Sequence, residues 1–530
     1  MAGSAKEIQQ RELMDMMQDL KAVIEDLKKT IAAKDATIEV LQEQIAYLQK
    51  KLFGKSSEKH IVAEGQLGFF DEAETEALQD EPEPDAEEEI VVTRKQRKPK
   101  TNKEMLLKGI PVKEEIIELP ESERICQTCG TVMEPAGKKF VRDVWEFQPA
   151  KMTVTRIYVR TYACSECKTQ AEKSSIVNAE APKALIPHSM ASESVVAHIM
   201  YLKYANAVPL YRQEKDWAQY NAQISRARMA KWILYCADEY FTPVYDYMHR
   251  LLLKRTFLMA DETRTQVLKE PERNPETTSY IWLFRTGEDG LPPIILFGYT
   301  QTRAKYNAEH FLEGFNGYLT TDGYQGYNNL PGIKRTCCWA HVRRYFVDAI
   351  PQGKKLDYSH PAVQGMIYCD KLFSIEKHCR ENLYSAKERY EYRLQKAPEI
   401  LSAFWKWLDT QKGADPRGRL GKAVAYALNR KPYLETYLED GRCSFSNNLS
   451  ENSIRPFCVG RRNWLFSDTP EGAHASALVY TMVEMAKAHK LNVEKYLTFL
   501  LMKRPAKELS DEELEELMPW NQAARDFSMI

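Results

Sequence analysis

Phe257-Leu-Met-Ala-Asp261, Ser279-Tyr-Ile-Trp-Leu-Phe284, Pro293-Ile-Ile-Leu-Phe-Gly-Tyr299 and Tyr318-Leu-Thr-Thr-Asp322-Gly323 are the stretches that decide the fold. Each is a short run dominated by apolar, β-branched or aromatic residues, and turns rich in Gly and Pro separate them, so each reads as a strand. Residues 307–315 show helical spacing between the third and fourth strands, and residues 333–339 read as a fifth strand. Two of the runs end on an aspartate.

Three strands, a helix, a fourth strand and then further helices is the order of a ribonuclease-H-like core. The first and fourth strands are neighbours in that arrangement, which would let Asp261 and Asp322 share a metal ion. Glu262 follows Asp261, but successive side chains on a strand point to opposite faces, so Asp261 is the better ligand of the two. A third acid has to come from later in the chain. Ser446-Asn-Asn-Leu-Ser-Glu451 offers helix-capping residues ahead of Glu451, with Arg455 one turn further on. Phosphodiester chemistry explains why such acids would be needed. Two divalent ions about 3.5–4 Å apart stabilise both the attacking and the leaving oxygen, and Mg2+ or Mn2+ is held by carboxylate oxygens.

Upstream, residues 13–52 place apolar side chains at alternating spacings of four and three, with Ile mainly at a and Leu at d, the signature of a parallel two-stranded coiled coil. Lys34 interrupts the d series. An intramolecular helix packed on the body is the alternative. Residues 71–89 carry eleven acidic side chains and no basic one, and include Pro82 and Pro84, so they read as a disordered linker. Arg94, Lys95, Arg97, Lys98, Lys100 and Lys103 follow, either a phosphate-neutralising segment or a solvated tail. Two CxxC pairs, Cys126/Cys129 and Cys164/Cys167, supply four thiolates from two tight turns, which suits a closed, structural zinc site. Strand-like residues 152–162 lie between them. Residues 195–204, 210–220 and 225–240 read as helices, the last carrying Arg226, Arg228, Lys231 and Trp232 behind Ser225 as N-cap. That pair of helices reads either as a helix-turn-helix or as an ordinary helical hairpin.

The 128 residues between Asp322 and Glu451 exceed what the bare core needs, and residues 375–394 and 400–408 within them have helical patterns. Beyond Glu451, Arg461, Arg462 and Trp464 put two cations beside a ring, which suits a phosphate and a stacked base, or else a tryptophan packed in the core. Residues 476–490 read as an amphipathic helix and 492–502 as another. The reading is of a multidomain α/β protein. It comprises a coiled coil (6–53), an acidic then basic linker (54–104), a four-cysteine zinc-binding domain (105–182) and a helical, DNA-binding region (183–250). A ribonuclease-H-like catalytic domain (251–485) with a helical insertion at about 355–440 follows, then a C-terminal helical segment (486–530). Net charge is −1, with 44% hydrophobic and 28% charged residues, the composition of a globular chain with no run long enough to span a bilayer. The first residues lack the pattern of a signal peptide, which predicts a cytoplasmic protein, associated with the nucleoid when bound to DNA.

LMADET, TTDGYQGYNNL, CCWAHVRRYF and SNNLSENSIRPFCVGRRNWLF, in that order, resemble the motif blocks of the insertion-sequence-66 type of DDE transposase. KLFGKSSEK, KYANAVPLYRQE and LMPWN extend the resemblance over nearly the whole chain. It implies a bacterial enzyme that cuts and rejoins the DNA ends of its own element, with Asp261, Asp322 and Glu451 as the metal-binding triad. His341 and Arg344 fall in a supporting block. The resemblance further implies accessory proteins from the same element, while the coiled coil predicts a homodimer or higher oligomer that bridges two ends. Many such proteins have Asp where this chain has Ser446, and Arg where it has Asn452. A non-catalytic DNA-binding regulator, or a nuclease without strand transfer, are the competing readings.

Overall fold

The computed structural model describes residues 152–163, 176–351 and 357–529. The coiled coil, the acidic and basic linker with Arg94, Lys95, Arg97, Lys98 and Lys100, and the four zinc cysteines Cys126, Cys129, Cys164 and Cys167 lie outside these residues. The chain divides into two compact units, Glu83–Ile157 and the remainder. Of the smaller one only residues 152–157 are described, without regular secondary structure. The strand expected over 152–162 reduces to β1 (Thr161–Ala163), paired antiparallel with β2 (Ile176–Asn178). The apolar side chains before it, Val154, Ile157 and Tyr158, are exposed.

Capping residues set the starts of the helices that follow. Ser192 accepts the Val195 N–H at the start of α1 (Glu193–Met200), Pro209 precedes α2 (Leu210–Gln219), and Ser225 accepts the Arg228 N–H at the start of α3 (Arg226–Cys236). Asn221, at φ 58°, turns the chain between α2 and α3. A π-turn, Ala237–Phe241, links α3 to α4 (Thr242–Leu253). Pro243 in the first turn of α4 has no N–H to donate backwards, and the helix widens on the turn before it.

β3 (Phe257–Gln266), β4 (Thr278–Thr286) and β5 (Ile295–Thr300) form an antiparallel meander. After α5 (Lys305–Phe311), β6 (Gly317–Thr321) enters beside β3 and parallel to it, and β7 (Ile333–Cys337) adds in parallel on the far side of β6. The order is β5-β4-β3-β6-β7. Residues 257–260 of β3 are buried without alternation because helices cover both faces. Met259 pairs with Thr320, so two residues further on each strand the register sets Asp261 level with Asp322.

α6 (Trp339–Asp348) leaves β7 directly, and α7 (Pro361–Glu381), α8 (Ala386–Thr410) and α9 (Arg419–Leu434) precede the return of the chain. The helical pattern expected over 375–394 is two helices. α7 stops at Glu381, Leu383 takes φ 52°, and Ser385 with Glu388 forms a capping box that starts α8. That signal, Ser followed by Glu three residues later, is present in the sequence. α8 then runs unbroken through Pro398 and contains the whole of 400–408. These helices share one apolar cluster with the sheet, including Phe257, Trp339, Phe346, Phe404, Leu434 and Phe445.

α10 (Asn448–Trp464) carries Glu451 in its first turn and continues through Pro456. α11 (Pro470–Ala488) corrects a second expectation. Residues 476–490 read as amphipathic, yet the helix begins earlier, behind Thr469 as N-cap, and nearly every side chain from Ala473 to Ala486 is buried. It is the central helix of this face, beneath β5, rather than a surface one. α12 (Val493–Lys503), α13 (Asp511–Glu515) and α14 (Gln522–Ser528) complete the chain. Among the described residues no helix is long and apolar enough to cross a membrane.

Candidate active site

Asp261 sits where β3 emerges from the core, Asp322 just past the end of β6, and Glu451 at the start of α10. Strand alternation sorts the neighbours of β3. Thr263, two residues on from Asp261, meets Cys458 and Arg461 of α10 through its hydroxyl. Glu262, on the other face, takes a hydrogen bond from Tyr327 and an ion pair from Arg303 and is 1% exposed. Asp261 therefore faces Glu451, as alternation predicts.

Burial raises the Asp261 carboxyl well above its ordinary range, and the neighbouring charges of Glu262, Glu451 and Asp322 push it further in the same direction. Glu262 is also raised, by burial and then by Asp322. Acids that penalise one another's ionisation mark a place where a cation is wanted. Each carboxylate is meanwhile held by something else. Asp261 Oδ1 accepts the Glu262 N–H at 2.8 Å. Asp322 Oδ1 accepts the Tyr324 N–H at 2.8 Å, with Arg303 3.9 Å from Oδ2. Glu451 Oε2 lies 3.5 Å from Arg344, and Oε1 3.6 Å from His341 Nδ1. The three acids approach without closing: among the described residues, the one trio of potential ligands whose atoms all lie within 4.8 Å is Cys338, His341 and Glu451.

Buried polar groups fix the frame. Arg285 of β4 donates from one nitrogen to the Leu449 carbonyl (2.9 Å) and the Ser453 hydroxyl (2.7 Å), tying the first turns of α10 to the sheet. Burial brings its pKa down to about 10. Asn447 is fully buried; its side chain donates to the Ala260 carbonyl at 3.1 Å and its backbone N–H to Cys338 Sγ at 3.1 Å. One residue thus links the backbone next to Asp261 with that before α6. The Asp322 carbonyl accepts from Arg335, and the Gly323 carbonyl from Arg430 at 2.7 Å.

Gly323 has no room for a side chain. A Cβ there would come within 2.5–2.7 Å of Arg430 Nε and the Tyr426 ring and hydroxyl, and Tyr426 is itself buried and stacked on Tyr345. Gly323→Ala is predicted to cost about 1–3 kcal/mol in denaturant unfolding, the range for overpacking. Because the displaced loop carries Asp322, any activity that depends on this carboxylate should fall at least tenfold (about 1.4 kcal/mol in barrier). Activity equal to wild type would show that the loop absorbs the methyl group elsewhere.

The sequence-derived residues divide into those that gather and those that do not. Asp261, Asp322, Glu451, His341 and Arg344 meet in one region. Arg455, one turn beyond Glu451, is half-buried on the same helix. Arg461 bonds Thr263, and Arg462 is exposed near the end of α10. Trp464 is half-buried and packs edge-on against Tyr204 and tilted against Tyr480. Arg226, Arg228 and Lys231 are exposed on α3, whereas Trp232 of that helix is in the core. Sequence reasoning placed Glu262 on the opposite face without a partner and gave no role to Arg303, Tyr327, Asn447, Arg285 or Cys338. Only Cys338 left a local trace, the Cys-x-x-His spacing with His341.

Comparison with known proteins places this arrangement inside a transposase. The model described as Transposase IS66 family matches residues 188–475, which contain all three acids. A zinc-finger binding domain of transposase IS66 matches residues 123–168, spanning the four cysteines, and one described as Transposase C of IS166 homeodomain matches residues 40–114. The chain belongs to the IS66 transposase family. Relatives in Sinorhizobium fredii (strain NBRC 101917 / NGR234) include "Uncharacterized protein y4jD", 27% identical over 498 residues, 91% of this chain and 94% of that protein. "Uncharacterized protein y4qI" is 30% identical over 361 residues, 65% of each.

Proposed function

We propose that this transposase cleaves DNA at the ends of its element and joins the freed 3′-hydroxyls to target DNA, using Asp261, Asp322 and Glu451 as a metal-binding triad in a ribonuclease-H-like core. The observation that carries the reading is the mutual repulsion at Asp261, whose ionisation Glu262, Glu451 and Asp322 all oppose. The donor set fits the hard ions Mg2+ and Mn2+, since the three proposed ligands are all carboxylates. Such ions, when bound, supply electrostatic stabilisation of the attacking and leaving oxygens of the phosphodiester.

The protein's own groups set the geometry. The sheet register fixes Asp261 and Asp322 relative to each other on rigid backbone, while Arg285 and Asn447 hold the helix that presents Glu451. Arg303 and Arg344 are poised at the two sides of the site as cations that can pass from carboxylate to DNA phosphate once metal neutralises the acids. Arg461 and Arg462 extend positive charge along α10, and Arg226, Arg228 and Lys231 along the exposed side of α3, for backbone contacts with terminal repeats. Upstream, the basic segment and the zinc module would add contacts, and the coiled coil would pair protomers so that two ends are bridged, with accessory proteins of the same element assisting.

The test is incubation of the full-length protein with DNA bearing the element ends, in Mg2+ or Mn2+. The expected products are nicks with 3′-hydroxyls at the ends and strand-transfer joints in target DNA. Binding with neither product would make the chain a regulator. Cleavage without joints would make it a nuclease.

A further inference from the structure

We propose that Cys338, His341 and Glu451 form a second metal centre, for a borderline-soft ion of the Zn2+ type, which shares Glu451 with the aspartates and withdraws it from them when filled. The proposal rests on Glu451 serving the carboxylate site.

Local structure brings the first two ligands together. Cys338 is the N-cap of α6 and His341 stands three residues on, so both belong to its first turn and lie on one side. Glu451 comes from the first turn of α10. The three donor atoms all lie within 4.8 Å of one another, and tetrahedral zinc with bonds of about 2.0–2.3 Å needs its ligands roughly 3.5 Å apart.

The hydrogen bonding leaves a gap of the right kind. His341 Nδ1 and Glu451 Oε1 are both buried without a hydrogen-bond partner, and at 3.6 Å they are too far apart to serve each other. Arg344 takes the opposite atoms, lying 3.5 Å from His341 Nε2 and 3.5 Å from Glu451 Oε2. Cys338 is fully buried, and its sulfur accepts the Asn447 N–H at 3.1 Å. Burial pushes the Cys338 thiol up, so an incoming ion has to displace the thiol proton to gain the sulfur as a ligand. The thiol proton is released to solvent as the sulfur–metal bond forms.

Donor chemistry separates this centre from its neighbour. Sulfur and imidazole select Zn2+ or Co2+ over Mg2+, whereas the aspartates offer only oxygen. Three protein ligands leave a fourth position open for water or a phosphate oxygen. A Glu451 engaged here is lost to Asp261 and Asp322, so Zn2+ should oppose Mg2+-dependent cleavage.

The probe is Co2+, added to full-length protein whose zinc-finger cysteines are already loaded with Zn2+. Wild type should take up one further equivalent and develop the near-ultraviolet thiolate-to-cobalt absorption. Cys338→Ser should lose that band, and His341→Ala should weaken Co2+ binding at least tenfold, with circular dichroism confirming that both are folded. His341 is part-exposed, so its variant keeps the test decisive if Cys338→Ser does not fold. A band of equal strength and affinity in wild type and His341→Ala, or no band in wild type, overturns the proposal. Absence of the band with Mg2+-dependent cleavage intact removes this inference alone, whereas a cobalt band without Mg2+-dependent cleavage removes the proposed function and leaves the ion site standing.

Discussion

Asp261→Asn should abolish DNA cleavage, by roughly 10³-fold or more (about 4 kcal/mol in barrier), while leaving the affinity for terminal DNA unchanged. The asparagine keeps the shape of the side chain and loses the charge that, in the proposed function, would hold a divalent ion. The same substitution should stabilise the protein when no metal is present. Burial and three neighbouring acids raise the Asp261 carboxyl in the folded state, so its contribution to stability is present below the unfolded carboxyl range and is lost as pH rises through the raised value. Above the ordinary carboxyl range this group is therefore a cost to the metal-free fold, and removing it should return about 1 kcal/mol. A divalent ion held by Asp261 would bind the ionised form, so its stabilising effect should grow as pH rises, and activity should decline as pH falls and Asp261 takes up a proton. Melting curves with and without Mg2+ across pH test this, and a metal-induced shift retained in Asp261→Asn would place the ions elsewhere.

Arg393→Met should cost about 3–5 kcal/mol, the range for leaving a buried charge without its partner. Arg393 of α8 is 1% exposed and pairs through two nitrogens with Glu376 of α7, at 2.7 Å each. Its remaining nitrogen donates to the carbonyls of Tyr437 (3.1 Å), Asp440 (3.2 Å) and Cys443 (3.1 Å). One side chain thus clamps two helices between β7 and α10 to the segment that leads back toward the acids. Phe445, next along that segment, stacks on Trp339, and Asn447 and Glu451 follow. Denaturant unfolding should show the loss, and activity should fall with it in the folded fraction. Arg393→Met with Glu376→Met should recover much of the stability by removing the stranded carboxylate. A single-variant loss below about 1 kcal/mol would be that of a surface ion pair, and would mean the clamp is dispensable.

The strands were legible because each is a compact apolar run between turn residues, and the run order placed Asp261 and Asp322 before any pairing was known. Capping signals are equally plain at Ser225 and at Ser385 with Glu388, and the second divides residues 375–394 into two helices where hydrophobic spacing alone shows one pattern. α11 departs from its amphipathic expectation for a different reason. A helix buried on all sides and one half exposed differ in what surrounds them, and surroundings are not local in sequence. The partner of Trp464 was hidden on the same grounds, since Tyr204, which its ring meets edge-on, lies 260 residues away in the chain.

Sequence by itself determined which residue types were available: two aspartates at strand ends, a glutamate behind capping residues, a cysteine three positions before a histidine. These depend on neighbours within a turn or a strand. Only the tertiary structure decided what each of them faces. It set Glu262 on Arg303 and Tyr327, gave Glu451 to His341, Arg344 and Cys338, and hung the approach to α10 on Arg393. Charge and hydrogen bonding act through space over a few ångströms, between groups that the chain separates by a hundred residues or more.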